Sequence, residues 1–263
     1  MSDAQPITGL RPGQVGSHVF LCGDPARVAR IASSWKGVEE VCSVREYRVM
    51  VGELDGIRLT AASTGIGAPS TAILIEELTK LGSHTYIRIG NSGGLDPRLE
   101  LGELVISTGA VRDDGTSRSY VVPEYPAVAD YRVVGALVAA ARGQQVPFHA
   151  GITWSLDAFY ARNAIAMENG AMASMSVGGY WTAALEERIR SLRAARVLNC
   201  EMEAGVLLTL AGLFGLRAGA VCVVSDRTPW EGPAAIDLDR NMHRCIDVAT
   251  AAMLQLAREQ RGD

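Results

Sequence analysis

The stretch TGIGAPSTAILIEEL, residues 64–78, joins a glycine loop to an apolar run and predicts one strand–loop–helix unit of an α/β fold. Gly65 and Gly67 suit a tight turn, Pro69 suits the start of a helix, and apolar residues follow at helical spacing. A dinucleotide-binding loop needs a third glycine three positions after Gly67, where this chain has Ser70. The loop therefore predicts a binding pocket for something other than NAD.

Short apolar or β-branched runs alternate with helical patterns along the rest of the chain. Strands are predicted at 17–22, 57–63, 85–90, 104–108, 149–154 and 218–225, and helices at 26–35, 69–81, 131–142, 182–192, 201–214 and 240–258. This alternation predicts an α/β fold with a mixed, mainly parallel central sheet flanked by helices on both faces. No repeat or linker divides the sequence, so we expect a single domain over 1–263, with a mobile loop at 163–180.

The composition limits the classes of partner. The chain has 263 residues, of which 48% are hydrophobic and 21% charged, as in ordinary globular proteins. Its formal charge of -4, without a basic cluster, argues against nucleic-acid binding. The longest apolar run, 204–216, is shorter than the ~20 residues that span a bilayer and predicts a buried helix. Without a secretory signal at the start of the sequence, we expect a cytoplasmic protein with a small-molecule partner.

Cysteine and histidine spacing predicts no metal site. The five cysteines lack CxxC spacing, and three of them lie in apolar stretches, which is typical of reduced core thiols. The four histidines form no HExxH or similar pair.

Candidate binding residues follow the predicted strands, because ligands of such sheets lie outside the carboxyl ends of the strands. Arg27, in CGDPARV (22–28), falls in the first turn of a predicted helix, where it suits an anion or is an ordinary surface arginine. Arg88 interrupts an apolar strand, so its charge must be paired or must bind a ligand. The following GNSGG supplies amides suited to an oxyanion or phosphate.

Acidic residues accompany two further segments. Glu201 and Glu203 precede a very apolar helical run, where they suit either ligand binding or interaction with the helix dipole. Asp226 and Arg227 end a buried strand, and Asp226 is a candidate general acid or base, although many aspartates at such positions cap a helix or turn.

Taken together, these segments resemble the nucleoside phosphorylases of the purine nucleoside phosphorylase and uridine phosphorylase family. The resemblance is carried by GDPARVARIA, STGIGAPSTAILIEEL, YIRIGNSGGL, DAFY, EMEAGVLLTLAG and VCVVSDRT, in this order and spacing, and covers nearly the whole chain. It implies a pentosyltransferase that cleaves a nucleoside with phosphate to give the free base and ribose 1-phosphate. The glycine loop would then shape a phosphate and ribose pocket.

The resemblance implies a phosphate site built from several arginines. Gly23, Arg27 and Arg88 match residues that bind phosphate. Arg45 matches an arginine that a neighbouring subunit contributes, which implies a homo-oligomer with a dimer as the catalytic unit and a hexamer as the expected assembly. Asn91 stands where the family has a threonine or serine that contacts phosphate, and its NH₂ group can also donate to an anion.

The resemblance also implies the sites of the sugar and the base. Glu203 matches the carboxylate that binds the ribose 2′ and 3′ hydroxyls, and Met202 packs under the sugar. Phe159 matches an aromatic residue against the base, and Asp226 and Arg227 match base-site positions. In purine-cleaving relatives the residue at Asp226 is the catalytic acid that protonates N7. Phosphate is the co-substrate, and no cofactor or metal is required.

Departures from the family pattern leave the identity of the nucleoside base undecided. Uridine-specific members carry a glutamine and an arginine after FY, where this chain has Asn163 and Ile165. Many members also have a histidine near the N-terminus, and the matching position in this chain is Ile7. The main hypothesis is therefore phosphorolysis of a purine nucleoside. Uridine phosphorolysis, a nucleosidase that uses water, and a noncatalytic storage or binding protein are the alternatives.

Overall fold

The computed structural model describes residues 3–230, 239 and 241–262, in which helices pack against a mixed β-sheet. The strands are β1 His18–Cys22, β2 Lys36–Val44, β3 Tyr47–Leu54, β4 Ile57–Ser63, β5 Thr85–Gly94, β6 Leu104–Asp113, β7 Ala127–Val128, β8 Phe148–Leu156, β9 Ala164–Ala166, β10 Met172–Ser174, β11 Asn199–Glu201 and β12 Arg217–Arg227. The α-helices are α1 Pro25–Ile31, α2 Ala68–Lys80, α3 Gly115–Tyr120, α4 Tyr131–Gly143, α5 Phe159–Arg162, α6 Ala183–Ala194, α7 Ala204–Phe214 and α8 Met242–Arg261.

Parallel strands form the centre of the sheet. β4, β1, β5 and β12 lie side by side in this order and run parallel. Antiparallel neighbours flank them, with β3 and β2 on one side and β6 on the other. The sheet continues through β8 to β11, and β11 also pairs with the end of β5, which closes five strands into a ring. The predicted mixed sheet is confirmed, and the closed ring is an unpredicted addition.

Helices cover both faces of the sheet, as predicted. In β1, Phe20 and Cys22 pack in a cluster with buried residues of α1, α4 and α8. The alternate residues Val19 and Leu21 pack in a second cluster with α2 and α7. Successive side chains of a strand point to opposite faces, so burial of both faces explains why HVFLC is continuously apolar.

The glycine end of β5 lets two other strands approach closely. A Cβ atom at Gly93 would lie 2.5 Å from Thr228 Oγ1 and 3.1 Å from Cys200 Sγ. Thr228 follows β12, and Cys200 lies in β11. Because any side chain at this position would collide with Thr228, glycine allows β11 and β12 to converge on β5.

Predicted helices and loops differ from the structure in several places. The expected helix at 26–35 ends at Ile31 and continues as a 3-10 turn, Ala32–Ser34. The helix expected at 201–214 begins at Ala204, because 199–201 pair as β11. The segment 163–180, expected to be a mobile loop, is not one continuous loop, since β9 and β10 form an antiparallel ribbon within it and a 3-10 turn follows. Residue 240, the expected start of the last helix, lies outside the described residues.

The β2–β3 hairpin was not predicted, because β2 is almost entirely exposed and lacks an apolar face. By contrast, the buried helix expected from the apolar run is confirmed as α7, which is buried from Ala204 to Ala211 and is capped by Gly215 in the left-handed conformation. Within the described part of the chain, helices of membrane-spanning length and apolarity are absent.

A buried carboxylate holds the N-terminal segment against α2. Glu77 is 4% exposed, and its Oε1 accepts a hydrogen bond from the Ile7 amide at 2.9 Å. Its Oε2 accepts from both the amide and the hydroxyl of Thr8, at 2.8 and 2.7 Å. All three donors therefore depend on one acidic side chain.

We predict that Glu77→Gln lowers the free energy of unfolding by about 1–3 kcal/mol, because the new NH₂ group faces donors and leaves at least one of them unsatisfied. Urea denaturation at a fixed protein concentration measures the loss. Glu76→Gln is the control, since Glu76 on the same helix forms a partly exposed ion pair with Lys80 at 3.3 Å and accepts one exposed hydrogen bond from the Tyr120 hydroxyl at 3.3 Å. An equal loss in both variants would contradict the assigned role of Glu77.

Candidate active site

A cavity of about 890 Å³ opens at the carboxyl ends of β1, β5, β11 and β12. This is the edge of the sheet at which ligands were expected. Eight of the ten predicted site residues line it, namely Gly23, Arg27, Arg88, Asn91, Phe159, Met202, Glu203 and Asp226. The structure therefore brings most of the sequence-predicted site into one cavity, and two arginines, described below, lie elsewhere.

The glycine loop after β4 closes one wall of the cavity. Gly65 and Gly67 have φ values of 68° and 95°, which favour glycine. A Cβ atom at Gly65 would lie 2.8 Å from the Glu46 side chain, and both residues line the cavity. The Gly67 amide donates to Glu203 Oε1 at 2.7 Å. The loop thus binds a carboxylate of the protein itself.

A buried ion cluster forms the floor of the cavity. Arg88, 4% exposed on β5, donates from Nε to Glu201 Oε2 at 2.9 Å and from Nη2 to Glu203 Oε2. Glu201 also accepts from the amides of Glu203 and Ala204, at 2.9 Å each, and so caps the start of α7. The expected pairing of the Arg88 charge is therefore confirmed, and Glu201 lies where it interacts with the start of the helix, as the helix-dipole interpretation requires.

Electrostatics couple the three charges. Burial alone would lower the pKa of Arg88, but Glu203 and Glu201 outweigh it and raise that pKa, so the guanidinium stays charged. Burial and the neighbouring Glu201 raise the pKa of Glu203 above its usual range, although Arg88 and the Gly67 amide oppose this shift. Two carboxyl groups therefore share one guanidinium in this cluster.

Two guanidinium groups that line the cavity each have a buried nitrogen atom without a hydrogen-bond partner among the described residues. These atoms are Nη1 of Arg88 and Nε of Arg27. The Arg27 side chain is anchored by a long bond from Nη1 to the Ile89 carbonyl, at 3.4 Å. Buried donors without partners are costly, so this end of the cavity suits an anion.

The other end of the cavity combines an acid with aromatic rings. Burial raises the pKa of Asp226, whereas hydrogen bonds from Ser225 Oγ at 2.8 Å and Trp230 Nε1 at 2.9 Å act in the opposite direction. Phe159 contacts the Trp230 ring in an edge-to-face arrangement with centroids 5.8 Å apart. Asn163 is buried beside them, and its Oδ1 accepts from Thr228 Oγ1 at 3.2 Å.

Sequence reasoning missed Trp230 and Glu46. Trp230 follows a proline in a segment without strand or helix periodicity, and a tryptophan there resembles an ordinary loop residue. Glu46 stands beside Arg45, but an acidic residue in an exposed hairpin turn carries no signal of its own. Only the folding of the hairpin against the glycine loop brings Glu46 to the cavity.

Arg45 and Arg227 do not line this cavity. Arg45 is exposed in the β2–β3 turn, with a φ of 55°. Arg227 lines a separate pocket of about 260 Å³ with Arg190 and Arg193, and its Nη2 donates to Glu100 at 3.3 Å. Ile7 is also outside the cavity lining, because its segment is held by Glu77.

The family model described as the phosphorylase superfamily matches residues 17–259. The chain belongs to the phosphorylase superfamily. The predicted membership of the nucleoside phosphorylases and the predicted enzyme class, a pentosyltransferase, are confirmed.

Individual relatives agree with this membership of the phosphorylase superfamily. The chain is 46% identical to a uridine phosphorylase of Thermococcus kodakarensis over 214 residues, 81% of this chain and 74% of that protein. It is 38% identical to a guanosine phosphorylase of Halorubrum lacusprofundi, over 84% of this chain and 82% of that one. A crystal structure of uridine phosphorylase from Vibrio fischeri, 30% identical, superposes with a TM-score of 0.81 and 97% coverage of both chains. The predicted fold is thereby confirmed.

We predict that Arg88→Met lowers the free energy of unfolding by about 3–5 kcal/mol at roughly pH 8, because two buried carboxylates lose their counter-charge. In this variant the carboxyl pKa values in the folded state exceed those in the unfolded state. The folded protein then binds more protons, so its stability rises as the pH falls. Urea denaturation at about pH 8 and about pH 5 should show the deficit shrinking on acidification.

Arg98→Met provides the control for Arg88→Met. The Arg98 side chain is 66% exposed and pairs with Asp96 at 2.7 Å, so its loss should cost less than about 1 kcal/mol. A small, pH-independent effect of Arg88→Met would contradict the description of the ion cluster.

Proposed function

We propose that this phosphorylase cleaves the N-glycosidic bond of uridine with phosphate, releasing uracil and ribose 1-phosphate. The observation that carries the proposal is the pair of buried guanidinium nitrogens, Arg27 Nε and Arg88 Nη1, that lack partners among the described residues. The uridine phosphorylases among the relatives support the choice of base. The purine preference expected from the sequence has less support, since the guanosine phosphorylase of Halorubrum lacusprofundi is less similar to this chain than the uridine phosphorylase of Thermococcus kodakarensis.

Phosphate would bind at the arginine end of the cavity. Arg27 and Arg88 supply charge-assisted hydrogen bonds, each worth roughly 1.5–3 kcal/mol. Gly23 and Asn91 line the same region and complete the proposed phosphate site. A phosphate oxygen attacks C1′ of the ribose while the C1′–N bond breaks and its electron pair passes to the base. The phosphate dianion stabilises the positive charge that develops on the sugar.

The ribose would lie over Met202 with its 2′ and 3′ hydroxyls on Glu203. Each Glu203 oxygen already accepts one hydrogen bond, Oε1 from Gly67 and Oε2 from Arg88. A carboxylate oxygen has a further lone pair, so each can accept one sugar hydroxyl without losing its existing bond. The existing bonds fix the carboxylate before the substrate arrives, which reduces the ordering cost of binding.

The base would lie against Phe159 with Asp226 in reach of its developing negative charge. Burial raises the pKa of the Asp226 carboxyl group and so favours its protonated form, which can donate a proton or a hydrogen bond to the leaving base. Asp226 also makes guanosine the second candidate substrate, because protonation of N7 assists departure of a purine base. Cytoplasmic location and the absence of a cofactor remain predictions from the sequence.

A nucleoside panel tests the proposal. We expect base release from uridine to require phosphate and to yield ribose 1-phosphate, because the arginine end of the cavity supplies the nucleophile rather than water. The assay compares uridine, guanosine and adenosine in phosphate-free buffer and after addition of phosphate. Faster cleavage of guanosine than of uridine would make guanosine, the second candidate, the preferred substrate. Base release at the same rate without phosphate, with free ribose as product, would make the protein a nucleosidase and contradict the proposal.

We also propose that the catalytic unit is a dimer, assembled further into a hexamer. Support comes from Arg45, which is exposed at a hairpin turn and lies outside the cavity of its own chain. The cavity of one chain is lined by Arg27 and Arg88 but also by several acids, Asp24, Glu46, Glu201, Glu203 and Asp226. A third arginine from a second copy would improve the charge balance for a phosphate dianion.

Subunit mixing tests the proposed role of Arg45. We expect Arg45→Ala and Asp226→Asn to be nearly inactive alone and to recover activity when mixed under conditions of subunit exchange, because one site of the mixed dimer receives both intact residues. Arg48→Ala is the control, since Arg48 already pairs with Glu40 at 2.8 Å and should retain activity. Full activity in Arg45→Ala alone, or in a monomer identified by sedimentation, would contradict the proposed dimer.

A further inference from the structure

Main-chain hydrogen bonds fix the position of Trp230, whose side chain lines the cavity. Its amide donates to the Ala164 carbonyl, and its carbonyl accepts from the Ala166 amide, both at 2.7 Å. These two bonds join the segment after β12 to β9 as an isolated parallel bridge. The position of the indole is therefore set by a neighbouring strand rather than by the loop alone.

The indole contacts the two side chains that would meet the base. Its Nε1 donates to Asp226 Oδ2 at 2.9 Å, while the other oxygen, Oδ1, accepts from Ser225 Oγ at 2.8 Å. Its ring lies against Phe159 with an interplanar angle of 67°. An indole N–H is a donor only, so this contact fixes Oδ2 as an acceptor and restricts rotation of the carboxyl group.

We propose that Trp230 is the positioning residue of the base end of the cavity: its indole N–H orients the Asp226 carboxyl group and its ring supports Phe159. The proposal rests on the proposed function, because it takes Asp226 and Phe159 as the groups that meet the base. It adds a residue that acts through both of them, and it explains how an acid and an aromatic surface from different elements keep a constant relative position.

The surroundings of Asp226 make its ionisation sensitive to Trp230. The titratable group that faces it from β11 is Cys200, whose pKa burial raises to about 12, so that thiol stays neutral. Ser225 on β12 and Trp230 are its hydrogen-bond donors, and among the described residues it has no ion pair. Because the indole N–H stabilises the ionised carboxylate, its removal should raise the pKa of Asp226 further.

Trp230→Phe tests the proposal with the wild-type protein and its best nucleoside substrate. We expect kcat/KM to fall by about tenfold or more and the pH limb that depends on Asp226 to move upward by about one unit. In an Asp226→Asn background the same substitution should have less than about a twofold effect, because phenylalanine still places a ring against Phe159 and the lost N–H group acts through Asp226. Trp181→Phe is the matched control, since its indole donates to Glu186 outside the cavity at 3.4 Å.

A second measurement does not depend on catalysis. The fluorescence of Trp230, taken as wild type minus Trp230→Phe, should change with pH as Asp226 titrates and should be independent of pH in Asp226→Asn. If Trp230→Phe does not fold, 3-benzothienylalanine at position 230 keeps the ring size, removes only the N–H group and provides both readouts.

Failure of the inference is distinguishable from failure of the proposed function. If the wild-type protein cleaves no nucleoside with phosphate, the proposed function fails, and the fluorescence titration still tests the contact between Trp230 and Asp226. If the wild type is active but Trp230→Phe keeps its kcat/KM and its pH profile, Trp230 is not a positioning residue. The proposal would also be overturned if the effects of Trp230→Phe and Asp226→Asn on kcat/KM were fully additive in the double variant.

Discussion

Arg88 lies inside the sheet with two carboxylates, and the architecture of the site depends on this buried ion cluster. A guanidinium in such a position requires partners, which are Glu201 at the end of β11 and Glu203 just before α7. The same two acids satisfy amide groups at the start of α7 and in the glycine loop after β4. One charge therefore fixes the relative positions of β5, β11, α7 and the glycine loop.

The close approach of β11 and β12 to β5 places the base end of the cavity at the same edge of the sheet as the ion cluster. Gly93 lies where a side chain would collide with Thr228, and this lets β11 and β12 flank the end of β5. Asp226 thereby emerges on the cavity beside Cys200 and Asn163. Arginines at one end would hold a phosphate dianion against the positive charge that develops on the sugar, and an acid at the other end would donate a proton or a hydrogen bond to the base, on which negative charge develops.

Much of the fold and of the site could be predicted from local patterns in the sequence. The continuously apolar β1 and the apolar α7 indicate buried elements, and Arg88 stands out because a charge interrupts an apolar strand. Residues whose role depends on long-range contacts could not be found in this way. The position of Trp230 is set by main-chain hydrogen bonds to β9. The side chain of Arg227 lies in a separate pocket because of packing that its place beside Asp226 in the sequence does not reveal. The β2–β3 hairpin was missed because its exposure removes the apolar alternation on which strand prediction relies.

A crystal structure of the protein with phosphate and an uncleavable nucleoside analogue tests the role of the two arginines most directly. We expect phosphate oxygens within about 3 Å of Arg88 Nη1 and Arg27 Nε, with Glu203 still bonded to the Gly67 amide and to the sugar hydroxyls. Phosphate bound instead in the pocket of Arg190, Arg193 and Arg227, with those two nitrogens left without an anion, would contradict the proposed phosphate site.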